Sequence, residues 1–181
     1  MKRFILIASI VPFLLGARVQ EPAKAPPAAT SYRTEFLIGL DDVGTKLIQL
    51  AEAIPADKYS WRPGTGIRSI SEVFTHVAGS NYFLLTFLGK PAPAGLPADM
   101  EQITEKARVV AELKRSIEHL RTTAKGMNEA DLERAVKLFG NNTTQRGVYG
   151  TILNHLHEHL GQSIAYARIN GVAPPWSAGM N

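Results

Sequence analysis

The chain has no cysteine among its 181 residues. That excludes disulfides, thiolate metal sites, iron–sulfur clusters and a cysteine nucleophile. It also lacks a Gly-rich phosphate loop, a G-x-S-x-G elbow and the H-E-x-x-H pattern that adds a general base to a histidine pair. Charge of one sign is modest: Lys plus Arg number 20 and Asp plus Glu 16, a formal +4. Without Lys2 and Arg3 it falls to +2, so half of the excess sits at the extreme N-terminus. No basic stripe is present, and no nucleic-acid partner is expected. Internal repeats and sustained strand alternation are missing too. What remains is a chain 45% hydrophobic and 20% charged, which suits one compact domain and excludes a disordered one.

Residues 1–17 read as a signal peptide: Lys2 and Arg3 precede an apolar run from Phe4 to Leu15, and Gly16 and Ala17 supply small residues near a cleavage point. The run is too short for an ordinary transmembrane helix. Residues 18–30, rich in Pro and Ala, read as a flexible leader. The expected product is exported, to a bacterial periplasm or outside the cell, with no stable membrane span once the signal is removed.

Four helices are expected in the domain, over Ser31–Ile54, Ile70–Leu88, Glu101–Met127 and Arg146–Asn170, each with apolar residues at helical spacing. Pro55 ends the first. Ser69 and Glu72 have the spacing of a capping box at the start of the second. Gly171 stands where a C-terminal glycine belongs. A short helical turn, Glu129 to Ala135, is expected behind Asn128 as its cap. The connections 55–68, 89–100 and 136–145 read as loops. The fold class is therefore all-α, a four-helix bundle whose long loops after helices one and two allow crossover connections.

Three of the five histidines, His155, His157 and His159, fall within five residues. On a strand all three would share a face. On the expected helix His155 and His159 stand one turn apart, and His157 points about 200° away from His155. An i, i+4 pair on the core side can offer two imidazoles to one metal ion. Two ligands rarely suffice, and His76, beside Val73 and Val77, is the best third. His119 lies in a charged stretch and is expected to be solvated.

Other residues have two readings each. Gln162 can hydrogen-bond a metal-held water or pack as a polar side chain; Tyr166 shares its face and reads as core. Glu158 can orient an imidazole or lie in solvent. Asn81 is a pocket candidate. Trp61, with Arg62 and Pro63, can wall a cavity mouth or simply cover the core.

Read in order, Ala53-Ile54-Pro55-Ala56-Asp57-Lys58-Tyr59, Trp61-Arg62-Pro63, Arg68-Ser69, His76-Val77-Ala78 and His155-x-x-x-His159-x-Gly161-Gln162 resemble the DinB/YfiT-like superfamily of metal-binding four-helix bundles. The resemblance spans about residues 31–172, leaving 173–181 as a C-terminal tail. It implies a divalent metal held by His76, His155 and His159, with open positions for water or substrate. It also implies that the Gly161-Gln162 pair lets the helix pack closely. Leu160 stands where the family often has a basic residue. Characterised relatives include thiol-dependent transferases and isomerases, and pairing into homodimers is common.

Imidazole ligands suit zinc, nickel, iron or copper, so ligand type does not identify the metal; the expected divalent ion is zinc or nickel, with iron and manganese as further candidates. Three readings follow: a metal-dependent hydrolase or transferase acting on a small molecule; a non-catalytic metal-binding or stress-associated bundle; and a purely structural bundle.

Overall fold

The computed structural model describes residues 30–177; the expected signal peptide and nearly all of the leader lie outside them. Four helices carry the domain: α1 (Tyr32–Ala53), α2 (Ile70–Thr86), α3 (Lys106–Lys125) and α4 (Gln145–Ile169). Their ends are set by local chemistry. Ser31 caps α1 by accepting from the Thr34 amide. At α2 the capping box is complete: the Ser69 hydroxyl accepts from the Glu72 amide, and the Glu72 carboxylate accepts from the Ser69 amide. Past α4, Gly171 has φ +77°. The Val172 amide donates to Ala167 O and the Gly171 amide to Arg168 O, the paired bonds of a Schellman stop.

The third helix is shorter than its sequence pattern suggests. Residues Met100–Gln102 form a separate 3-10 turn, and α3 begins only after Glu105, whose carboxylate caps the amides of Ala107 and Arg108. The turn behind Asn128 is likewise a single 3-10 turn, Glu129–Asp131.

The segment 136–145, expected as a loop, is mostly a β-hairpin. Strand β1 (Ala135–Leu138) pairs antiparallel with β2 (Asn141–Thr144), Leu138 opposite Asn141. The two-residue turn between them is Phe139-Gly140, with φ +50° and +83°. That is the left-handed pair a tight hairpin needs. A four-residue strand is too short to alternate visibly, and a phenylalanine at the first turn position hides the usual Asn-Gly signal.

Helix α1 packs on α3 and α4, and α2 packs on α3 and α4. The order around the bundle is therefore α1–α3–α2–α4, so α1 lies diagonal to α2 and α3 diagonal to α4. The crossovers follow helices one and three, with the hairpin in the second of them. The long connection after helix two joins neighbours instead, so the crossover its length allows is not made there.

One continuous core runs through the bundle. Phe36, Leu40, Val43, Leu47 and Leu50 of α1 meet Val73, Phe74 and Val77 of α2, Leu113, Ile117 and Leu120 of α3, and Val148, Ile152 and Leu156 of α4. Burying each such side chain contributes about 1.5–3 kcal/mol. Close approach falls at Gly44, where an added Cβ would lie 3.0 Å from Ile117 Cγ2. At Gly161 a Cβ would meet nothing within 4 Å. The expectation that Gly161 permits close packing is thus overturned: its face of α4 is solvent-exposed.

Candidate metal centre

Helices α2 and α4 are neighbours, and their contact joins the histidines singled out by spacing. His76 stands in the middle of α2. His155 and His159 lie one turn apart on α4 and face it. His76 Nε2 is 3.2 Å from His155 Nε2, and His159 Nε2 is 3.1 Å from His155 Nε2. Among the described residues these three form a group whose ligand atoms all lie within 4.8 Å of one another. His159 is buried and the other two half-buried.

Each flanking ring is held from behind. His76 Nδ1 faces the Glu101 carboxylate at 3.2 Å, and His159 Nδ1 faces Gln162 Oε1 at 2.8 Å. The Gln162 amide group donates onward to the Tyr166 hydroxyl at 3.0 Å, which sets which end of the amide faces His159. Both acceptors place the imidazole proton on Nδ1 and leave a lone pair on Nε2. Glu101 is in turn gripped by Arg68, whose Nε lies 3.1 and 3.2 Å from its two oxygens.

This donor set fits a divalent cation. Ligands at 2.0–2.1 Å in a tetrahedron sit about 3.3–3.4 Å apart, close to the separations seen. A proton on His155 Nε2 could be donated to only one of its two neighbours at a time, whereas a cation satisfies all three nitrogens. Among the described residues, buried His155 Nδ1 has no hydrogen-bond partner.

The electrostatics favour the neutral, ligating form. The His155 pKa is pushed down to about 4, by burial first and then by His159 and His76. His76 is lowered as well, by burial first, then by Arg68 and His159, against the opposing pull of Glu101.

Two cavities open beside the histidines. One of about 280 Å³ is lined by His76 and His155 with Ser80, Phe83, Leu84, Phe139 and Thr151. Another of about 250 Å³ lies on the far side of His76, toward Asp99 and Glu101. A larger cavity of about 440 Å³, between Glu52 and Lys106, touches none of the three histidines.

The remaining candidates are distributed unevenly. Gln162 and Tyr166 join the hydrogen-bonded row behind His159, and Trp61 packs edge-on against Tyr166 with ring centroids 5.3 Å apart. Glu158 is exposed on α4, about 100° round the helix from the buried His159. Asn81 is fully buried but faces α3, donating to Ser116 Oγ at 3.1 Å. It belongs to the α2–α3 seam. His119 is not solvated as expected: it is half-buried with its ring 5.4 Å from that of Tyr82. The outward His157 bonds its own helix at Leu153 O.

Glu101 was missed by sequence reasoning. It lies 25 residues from His76, in a turn whose pattern resembled the start of a helix. Its one local sign is Asp99, which caps that turn through the Glu101 amide.

A sequence model of the DinB superfamily matches residues 40–163. The chain belongs to the DinB superfamily. Solved DinB-like structures superpose on it. A DinB-like protein from Bacillus cereus does so with a TM-score of 0.70 at 15% identity, over 78% of this chain and 95% of that one. YjoA, a DinB-like protein from Bacillus subtilis, gives 0.61 at 21%, over 76% and 92%. YfiT from Bacillus subtilis gives 0.62 at 17%, over 83% and 95%, and is described as a probable metal-dependent hydrolase with an unusual four-helix bundle topology. At these identities the likeness establishes the fold. No curated protein sequence matches the chain. The order α1–α3–α2–α4 is what lets this bundle set His76 against the pair on α4: α1 lies diagonal to α2 and α3 to α4, so α2 borders α4.

Proposed function

We propose that the protein is an exported, metal-dependent hydrolase or transferase of small molecules, with His76, His155 and His159 holding a divalent cation. The observation that supports this reading is the convergence of three Nε2 atoms, two at 3.1–3.2 Å from the third, with Glu101 and Gln162 behind the outer rings. A cation bound there supplies Lewis acidity and brings a water or thiol nucleophile within reach of neutral pH. Three protein ligands and an adjoining cavity are the form of a catalytic site, not a closed structural one.

The chain's own residues divide the remaining work. Glu101 and Gln162 keep the ring protons on Nδ1, so the lone pairs stay turned inward. Burial first, then His159 and His76, pushes the His155 pKa down to about 4, so the ring is neutral at pH 7. Tyr166 and Trp61 brace Gln162. Hydrolysis is the favoured half of the reading, since a fold neighbour is described as a probable metal-dependent hydrolase. Zinc or nickel is the proposed ion.

Export is proposed from residues 1–17 alone. Among the described residues no helix is long and apolar enough to cross a membrane. Pairing of two copies is a further part of the proposal, decided by light scattering.

The test is elemental analysis of residues 21–181 beside His76→Ala, His155→Ala and His159→Ala, followed by a hydrolase screen with the metal found. About one ion per chain, lost in each variant while helical circular dichroism persists, is the expected result. A chain that takes up neither zinc nor nickel would refute the proposal and leave a structural bundle. A loaded chain without turnover in any screen supports the alternative, a metal-binding bundle that is not an enzyme.

A further inference from the structure

The hairpin between α3 and α4 ends in an arrangement that neither the bundle nor the metal ligands require. Phe139 sits at φ +50°, a left-handed conformation that is rare for a bulky side chain. Phe139 is 62% exposed, and Phe83 on α2 is 53% exposed. The two rings lie 6.2 Å apart, and Phe87 closes the cluster at 5.3 Å from each. Asparagine or glycine would make this turn without strain, so a strained phenylalanine that stays in solvent calls for a role of its own.

Its position suggests that role. Phe83, Leu84 and Phe139 wall the 280 Å³ cavity whose other side is formed by His76 and His155. No charged side chain lines it; besides the imidazoles, its polar side chains are the hydroxyls of Ser80 and Thr151. The cavity across His76 differs, with Asp99 and Glu101 in its wall. Phe83 borders both cavities, but only the one walled by Leu84 and Phe139 is free of carboxylates. A cavity of about 150 Å³ already admits benzene, so that one has room for a ring-sized group and a short linker.

We propose that Phe83, Leu84 and Phe139 form a specificity pocket that receives an uncharged, ring-sized apolar group of the substrate, while the group to be attacked lies at the three histidines. The inference rests on the metal-centre reading and names the class of substrate for it. The hairpin carries one wall of this pocket and α2 the other, so the tip of the β-hairpin sets the selectivity.

The probes are acetohydroxamate and phenylacetohydroxamate, which share a metal-seeking head and differ in the tail. Each is titrated calorimetrically into the zinc-loaded protein, into Phe139→Asn and into Phe83→Gln. Phe139→Asn relieves the turn while removing the ring, so it is expected to fold at least as well as the parent. Burying a phenyl ring is worth at least about tenfold in affinity. The expected result is that advantage in the parent and its loss in Phe139→Asn, with zinc content and acetohydroxamate affinity unchanged. Equal affinity for both probes in the parent, or a tail advantage that survives both substitutions, overturns the proposal. Tail-independent binding combined with loss of a dimer in Phe139→Asn also overturns it, and assigns the aromatic cluster to a second copy of the chain.

Failure of the metal site is read separately. Should no zinc bind, benzyl alcohol is added to the metal-free protein and followed by NMR. Shifts at Phe83, Leu84 and Phe139 that vanish in Phe139→Asn keep the pocket while the metal reading falls; their absence overturns both.

Discussion

Removing the Glu101 carboxylate tests how the site is held together. Glu101 touches His76 on one side, with Nδ1 at 3.2 Å, and Arg68 on the other, with Nη2 at 3.0 Å. It therefore does two things: it fixes the His76 tautomer and ring orientation, and it neutralises a guanidinium beside the site. Loss of an acceptor behind a ligating histidine costs about 10–100-fold in metal affinity, or about 1.4–2.8 kcal/mol. Glu101→Ala is expected within that range. Its side chain is 36% exposed, so solvent screens the charge contribution, and the orienting part should dominate. Glu101→Gln keeps an oxygen for the Nδ1 proton and is expected to lose less than about tenfold. Adding Arg68→Ala to Glu101→Ala removes the uncompensated cation and should recover only the electrostatic share, a separation that the double-mutant cycle measures. The assay is competition for zinc against a chromophoric chelator, at fixed ionic strength. At fixed free zinc above both dissociation constants, the same loss appears in stability as about 1.4–2.8 kcal/mol. Zinc affinity of Glu101→Ala within about twofold of the parent, far short of the usual loss, would refute the idea that this contact positions His76.

Further outcomes follow from the same geometry. Gln162→Leu removes the acceptor behind His159 and should weaken zinc binding about 10–100-fold, with little change in the metal-free protein; unchanged affinity in the chelator assay would refute it. Gly161→Ala should be neutral or stabilising by up to about 1 kcal/mol, because its Cβ enters open space on a helix. Gly44→Ala should instead destabilise, because its Cβ would meet Ile117 at 3.0 Å; urea midpoints of the two variants give the comparison, and a reversed order would be fatal to it. The metal-free protein should lose stability as pH falls from about 6.5 toward 4. The unfolded chain protonates its histidines near 6.5, whereas folded His155 resists down to about 4, so the unfolded state binds more protons across that window. Urea midpoints at pH 7.5 and 5.0 measure this, and His155→Leu should flatten the difference; an unchanged slope in that variant sinks the attribution.

Local patterns in the sequence determined most of the fold. Helical periodicity, the Ser69/Glu72 capping box, Pro55 and Gly171 need only their near neighbours, and the structure shows each acting over one helical turn. The i, i+4 spacing of His155 and His159 is local in the same sense, since a helix places residues four apart on one face whatever surrounds it. His76 was legible in the same way, beside Val73 and Val77 on the apolar side of its helix. Tertiary structure decided what depends on separation along the chain. The diagonal placement of α1 against α2 is set by how apolar faces are shared among four helices, and no single segment encodes it. Glu101 lies 25 residues from His76 and reaches it only because the irregular connection after α2 folds back on that helix. Asn81, on the same helix as His76, serves α3 instead, because the five-position step between them rotates it by about 140°. The hairpin is the clearest case: four-residue strands have too little pattern to read, and Phe139 adopts its left-handed turn against Phe83 and Phe87, contacts that exist only once α2 and the hairpin have met.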